Sequence, residues 1–258
     1  MENKKKIICA LIIGRKGSIG FPKKNLYPLL GRPMVMYPIL AAKKSKMVEK
    51  IYVSTDDPKI KKIANKENIK IIDRPKKLAS KKALGTDVFE HGYYFIKKDI
   101  EKQNLKIDLI VLLHANSPTL TTKLIDNGIK ILKKNKKFDS AVTTSVYNMW
   151  SPIRARKLNK KGQLRPMVPF KNFINPNKLS SDRDAQGNVY YADMSISVVR
   201  PFCLENIKDG LLPQKWMGNK IAPIFSEGGC DVDFEWQIPM VEFWLKKNGY
   251  KNAKKKTY

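Results

Sequence analysis

The chain has 258 residues, 42% of them hydrophobic, which suits one large domain with a substantial buried core. Its 51 Lys and Arg against 23 Asp and Glu give a net charge of +28, but the lysines are scattered through nearly every segment rather than gathered in a basic block interleaved with aromatics. That pattern reads as a solvated surface and argues against nucleic-acid recognition, while three distant cysteines, Cys9, Cys203 and Cys230, exclude a disulfide framework and zinc-site spacing.

The segment "MENKKKIICALIIG" imitates a secretory signal, yet its apolar run is only about seven residues and no small-residue cleavage site follows. It is read as a buried strand over 7–13, and the protein is expected in the cytoplasm, with no membrane partner. A helix is expected over 34–46, with Pro38 tolerated only in its first turn. Strands follow at 50–55 and 69–72, separated by a helix that Asp57 caps and Pro58 opens. Residues 84–101 read as a helix, 108–115 as the most buried strand, 121–134 as a helix and 139–146 as a strand. The rhythm breaks over 147–188, a proline-rich stretch too long for an idle connection. This is read as an excursion within a single domain spanning 1–258, serving as a lid, an oligomer contact or both. Strand returns at 189–201, and a helix over 234–248 follows "GGCDVD". The alternation predicts a Rossmann-like, doubly wound, mostly parallel α/β sheet, whose ligands bind beyond the C-terminal ends of its strands.

Behind the first strand lies "GRKGSIGFPKKN". Gly14, Gly17 and Gly20 are spaced as neither a dinucleotide fingerprint nor a P-loop. Glycines let backbone N–H groups approach an anion, and Arg15, Lys23 and Lys24 add charge suited to a triphosphate. Late in the chain, Asp231 and Asp233 stand two apart on an extended segment, offering two hard oxygen ligands on one face, as Mg²⁺ prefers. The competing reading is a pair of surface and cap acids before the last helix. His91, beside aromatics in a helix, is expected to be structural. Asp56 and Asp57 are expected to start a helix rather than bind metal.

Five segments, in order, resemble the acylneuraminate cytidylyltransferase family. "GRKGSIGFPKKN" is similar to its ARGGSKGIPRKN signature; "IYVSTDD", "RPKKLAS", "LLHANSPT" and "CDVDFEW" match its later motifs. The resemblance implies CMP transfer from CTP to a sugar-acid acceptor of nonulosonic type with release of pyrophosphate, a Mg²⁺ cofactor, and a homodimer in which the excursion reaches the partner's site. It implies catalytic roles for Arg15 and Lys24. It also implies nucleotide contacts from Gly14, Arg15, Gly17, Ser18, Lys24, Asn25, Arg74 and Ser80, and metal binding by Asp231 and Asp233. His114, where the family usually has Gln, is expected to line the nucleotide or acceptor pocket. Asn116, Ser117, Arg183, Tyr191 and Asp193 are expected around the acceptor.

The chain departs from the family where the acceptor's carboxylate would sit. Leu120 and Tyr191 replace two arginines, Ile19 replaces a lysine, and Asp193-Met194 replace Asn-Gly. A carboxylate favours a bidentate Arg, which Arg154, Arg156, Arg165 or Arg183 of the excursion could restore. An unusual acceptor, such as an aminoalkyl phosphonate, is the second reading. A basic nucleic-acid-binding protein is a distant third.

Overall fold

The structure, a computed structural model, describes residues 4–17 and 20–253. The first strand, β1 (Lys5–Ile13), leads through a glycine-rich loop to a small hairpin, β2 (Pro28–Leu29) and β3 (Arg32–Pro33), and to helix α1 (Met36–Lys44). Then come β4 (Lys50–Thr55), α2 (Pro58–Lys66), β5 (Lys70–Asp73), α3 (Lys76–Ala79), α4 (Gly85–Glu101), β6 (Leu105–His114), α5 (Thr122–Lys134) and β7 (Ser140–Val146). The excursion carries a second hairpin, β8 (Arg156–Leu158) and β9 (Leu164–Pro166). The chain closes with β10 (Tyr190–Val199), α6 (Pro201–Glu205), β11 (Ile221–Phe225) and α7 (Ile238–Lys247).

Seven strands form one sheet in the order β11-β7-β10-β6-β1-β4-β5. All neighbours are parallel except β10, which runs antiparallel to both β6 and β7. Period-two alternation sends successive side chains of β1 to opposite faces. Ile8, Ala10 and Ile12 pack with α1, α2 and α5; Ile7, Cys9 and Leu11 pack with Phe89, Tyr93 and Ile96 of α4. Burial on both faces is why the run is continuously apolar, and it makes the sheet doubly wound. A third cluster seats Val241, Trp244 and Leu245 of α7 on Phe21, Leu29, Met34 and Tyr37. The late helix thus covers the loop behind β1.

Local signals explain the boundaries. Asp57 caps α2, its carboxylate accepting the Lys59 N–H at 2.8 Å, and Thr121 caps α5 by accepting from Leu124 N–H at 3.3 Å. Pro38 lies in the first turn of α1, where no intrahelical donor is lost. Strand β11 escapes a sequence reading because it is short and holds Pro223; as an edge strand it tolerates the missing donor. Strand β10 is interrupted: pairing with β7 jumps between Ala192 and Ser197, and Met194 takes φ 62°. Among the described residues, no helix is long and apolar enough to cross a membrane.

Candidate active site

A cavity of about 410 Å³ opens beyond the C-terminal ends of β1 and β6. Its floor is Ile13, Gly14, Asn25 and His114; Arg15, Lys24 and Arg74 bring positive charge, and Asp233 and Phe234 form the opposite rim. Leu78, Ala83, Gly85 and Val88, which sequence reasoning missed, close a third side. They come from α3, the connection after it and the start of α4; Leu78 lies inside "RPKKLAS", but apolar side chains give no chemical sign of lining a site.

Gly14 is dictated by space. Its N–H donates to Ser54 O at 3.1 Å, and a Cβ there would lie 2.6 Å from the Ala115 Cβ. Gly17 turns with φ 79°. Ser18 and Ile19 lie outside the described residues. Asn25 is buried, and its side-chain amide donates to Arg15 O at 3.1 Å while its own carbonyl accepts from Val35 N–H at 2.9 Å. It thus ties both limbs of the loop together beneath the cavity. Arg15 reaches across to Ser80, donating to its carbonyl at 3.3 Å; the Ser80 hydroxyl itself turns to Lys77 O. Arg74 is anchored at the end of β4, donating to Ser54 O at 2.7 Å, and burial pushes its guanidinium down to about 10 against the opposing charge of Asp56.

Lys24 pairs with Asp233 across the cavity, a contact between residues 209 positions apart. The Asp231 carboxyl is raised by burial and by the nearby Asp233 charge, with Lys24 opposing. No third Asp, Glu, His or Cys joins them in a metal-sized group among the described residues. Such a pair fits Mg²⁺, which is commonly held by one or two carboxylates with substrate phosphates and waters completing its shell.

His114 ends β6 with its ring edge-on to Phe89, centroids 5.2 Å apart. Burial pulls it down to about 4, and the Lys24 charge adds to the effect, so the ring is neutral at pH 7. The other histidine, His91, sits on α4 outside this cavity.

The residues expected around the acceptor are not all brought together. Asn116 lines the cavity and donates to Asp231 Oδ2 at 3.5 Å and to Val232 O at 3.1 Å. Ser117 is fully buried, and its hydroxyl has no hydrogen-bond partner. Asp193 is 5% exposed, accepting from the Ser145 hydroxyl at 2.9 Å and from Ser195 N–H at 3.1 Å. Tyr191 donates to Trp150 O, and Arg183 is an exposed partner of Asp184. None of these last four lines the cavity.

Known proteins resemble this chain in sequence and in fold. An N-acylneuraminate cytidylyltransferase of Oncorhynchus mykiss is 25% identical over 251 residues, covering 96% of this chain and 52% of that protein. A CMP-N,N'-diacetyllegionaminic acid synthase of Legionella pneumophila is 28% identical over 157 residues, covering 61% of this chain and 65% of that one. The chain spans about half the length of the fish relatives it matches. In fold it is similar to a solved CMP:2-keto-3-deoxy-manno-octonic acid synthetase in complex with CTP. That structure has a TM-score of 0.64 at 16% identity and covers 94% of this chain and all of its own. A family model described as cytidylyltransferase matches residues 9–197, well over half of the sequence, and the chain therefore belongs to the cytidylyltransferase family.

Proposed function

We propose that the protein transfers CMP from CTP to a hydroxyl of a nonulosonic-type sugar acid and releases pyrophosphate. The observation that carries this reading is the cavity itself. A glycine-shaped floor admits a phosphate chain, three cationic side chains surround it, Asp233 stands at its far rim, and Asp231 lies next to the lining residue Asn116, which donates to it at 3.5 Å. The names of its relatives, which act on N-acylneuraminate, pseudaminic and legionaminic acids, supply the acceptor class.

In the proposed reaction the acceptor hydroxyl oxygen attacks the α-phosphorus in line, a new P–O bond forms, the bond to pyrophosphate breaks, and the hydroxyl proton passes to solvent. Negative charge grows on the α-phosphoryl and the leaving group. Arg15 and Lys24 meet that charge, and Lys24 exchanges its ion pair with Asp233 for the phosphates. Asn25 fixes the loop, Arg74 and the Ser80 region frame the nucleoside, and neutral His114 adds a ring wall without adding charge. Asp231 and Asp233 would hold Mg²⁺, which supplies Lewis-acid neutralisation of phosphate charge when bound. Of the residues expected around the acceptor, Asn116 lines the cavity and would face the acceptor.

The reading extends to assembly and location. The protein works as a homodimer, with residues 147–188 extending towards the partner's site. Support comes from the apolar surface this stretch leaves open, including Leu158 at 70% and Leu164 at 66% exposure. It acts in the cytoplasm, and its three cysteines are free.

The test is pyrophosphate release with CTP, UTP, ATP and GTP in turn, across a panel containing N-acetylneuraminate, 3-deoxy-manno-octulosonate and 2-aminoethylphosphonate. CTP with a keto sugar acid is expected to be fastest. Equal rates with UTP, or turnover of the phosphonate alone, would overturn the assignment. Chelation with EDTA is expected to abolish release and added Mg²⁺ to restore it.

A further inference from the structure

Residues 229–234, which carry both aspartates, belong to no strand of the sheet. Yet their peptide groups are tied down from several directions. Gly229 N–H donates to Ser145 Oγ at 3.1 Å. Cys230 is gripped at both ends by one hydroxyl: its N–H donates to Thr119 Oγ1 at 2.8 Å, and its carbonyl accepts from the same oxygen at 2.9 Å. Val232 N–H donates to Asn116 O at 2.8 Å. Gln237 Oε1 accepts the N–H groups of Asp233 and Phe234 at 2.7 and 2.8 Å.

The directions of the hydroxyl bonds follow from proton count. A hydroxyl has one proton. Thr119 gives its proton to Cys230 O, so Ser195 Oγ, 3.1 Å away, donates to Thr119. Ser145 gives its proton to Asp193 Oδ2, and Ser195 N–H donates to Asp193 Oδ1. Both arms of the clamp therefore converge on the buried Asp193. Its fit is close: a Cβ on Gly229 would lie 2.2 Å from Asp193 Oδ2. Asp193 also sits in the interruption of β10, so the irregular strand and the aspartate segment are fastened by one carboxylate.

We propose that Thr119 and Asp193 are positioning residues that, through Cys230 and Gly229, fix the segment that sets Asp233 at the cavity rim and Asp231 beside the lining residue Asn116. The proposal rests on the functional reading above for what those aspartates do. The clamp itself stands on the hydrogen bonds. Neither Thr119 nor Asp193 lines the cavity. Their loss should loosen the aspartates locally while leaving the sheet intact.

Cys230 reports on the clamp, and buried Cys9 and Cys203 serve as internal controls. The experiment labels the folded, ligand-free protein with a maleimide, follows the three cysteines by peptide mass, and measures CMP transfer in parallel. For Thr119→Val, losing a doubly used hydroxyl is expected to speed labelling of Cys230 by about tenfold or more and leave Cys9 and Cys203 unchanged. The same variant should lower kcat about tenfold or more with KM for CTP within about twofold. Thr119→Ser, which keeps the hydroxyl, should restore both. If Thr119→Val does not fold, Ser195→Ala removes the donation to Thr119 and is read the same way. Wild-type labelling of Cys230, equal acceleration of all three cysteines, or failure of Thr119→Ser to restore would overturn the proposal. If the wild-type protein transfers no CMP, the functional reading fails, and labelling alone still decides whether the clamp exists.

Discussion

Lys24 and Asp233 neutralise each other across a cavity that both would have to share with a triphosphate. Replacing Lys24 by Ala should lower kcat by about 10²-fold, the usual scale for losing one contact to transition-state charge. Steady-state pyrophosphate release checks this, and the thermal midpoint should change little because the pair lies at a cleft. Gly14→Ala should act differently. Its Cβ meets backbone-anchored Ala115 at 2.6 Å, so the loop must shift. Overpacking of this kind costs about 1–3 kcal/mol, and KM for CTP should rise with it. His114 predicts a pH effect on stability. Its folded value of about 4 lies below the free value of 6.5. Between those values the unfolded chain takes up a proton that the folded chain refuses, so stability falls as pH drops from 6.5 towards 4. Urea unfolding at several pH values should show that slope, and His114→Gln should flatten it. Of these residues, Gly14, Lys24 and Asn25 were legible because they sit within one short motif. Thr119 also closes a motif, "LLHANSPT", but its role was not legible, since its partner Cys230 is 111 residues away. Gln237 left a faint one: a Gln at the third position of a helix start, reaching back to the Phe234 N–H, is half of a capping box.

The elements were readable where burial is symmetric. The runs 7–13 of β1 and 109–113 of β6 are continuously apolar because helices cover both faces, and α2 and α5 announce themselves by their caps. β11 and the hairpins β2–β3 and β8–β9 were missed because they are too short for periodicity to rise above chance. The direction of β10 was also hidden, since orientation is decided by the long excursion before it. Helix α5 gives a test of packing at this scale. Gly128 faces the sheet, where a Cβ would meet Ile224 Cδ1 at 2.6 Å and Val198 Cγ2 at 2.8 Å. Alanine there gains about 1 kcal/mol of helix propensity, but the buried Ile224 and Val198 side chains oppose it. Gly128→Ala is expected to be destabilising overall by about 1–2 kcal/mol in urea unfolding, as overpacked cores are. A rise in stability would show that α5 can retreat from the sheet at no cost.

At the scale of the molecule, the excursion leaves Leu158, Leu164, Met167 and Phe173 facing solvent in a single chain. The homodimer proposed above would bury these side chains, as apolar patches at association surfaces are buried. Leu158→Asp combined with Leu164→Asp should convert a dimer to a monomer in sedimentation velocity while the thermal midpoint of the sheet holds. CMP transfer should fall if the partner's excursion completes the site. The +28 charge belongs to this scale as well. It gathers anions near the surface, an effect that salt screens over about 8–10 Å. Turnover at saturating CTP should persist in moderate salt, whereas binding to a nucleic acid would collapse over the same range.

The pairing of Lys24 with Asp233 has a consequence in time. During synthesis the loop emerges first, and its carboxylate partner follows 209 residues later. At about 5–20 residues per second, that interval is about 10–40 s. By then every strand of the sheet has left the ribosome, and Val241, Trp244 and Leu245 arrive last to cover Phe21 and Met34. A nascent chain therefore exposes the apolar cradle at Phe21 and Met34 until α7 docks, and under the function proposed above it would gain its carboxylates for Mg²⁺ only shortly before that step.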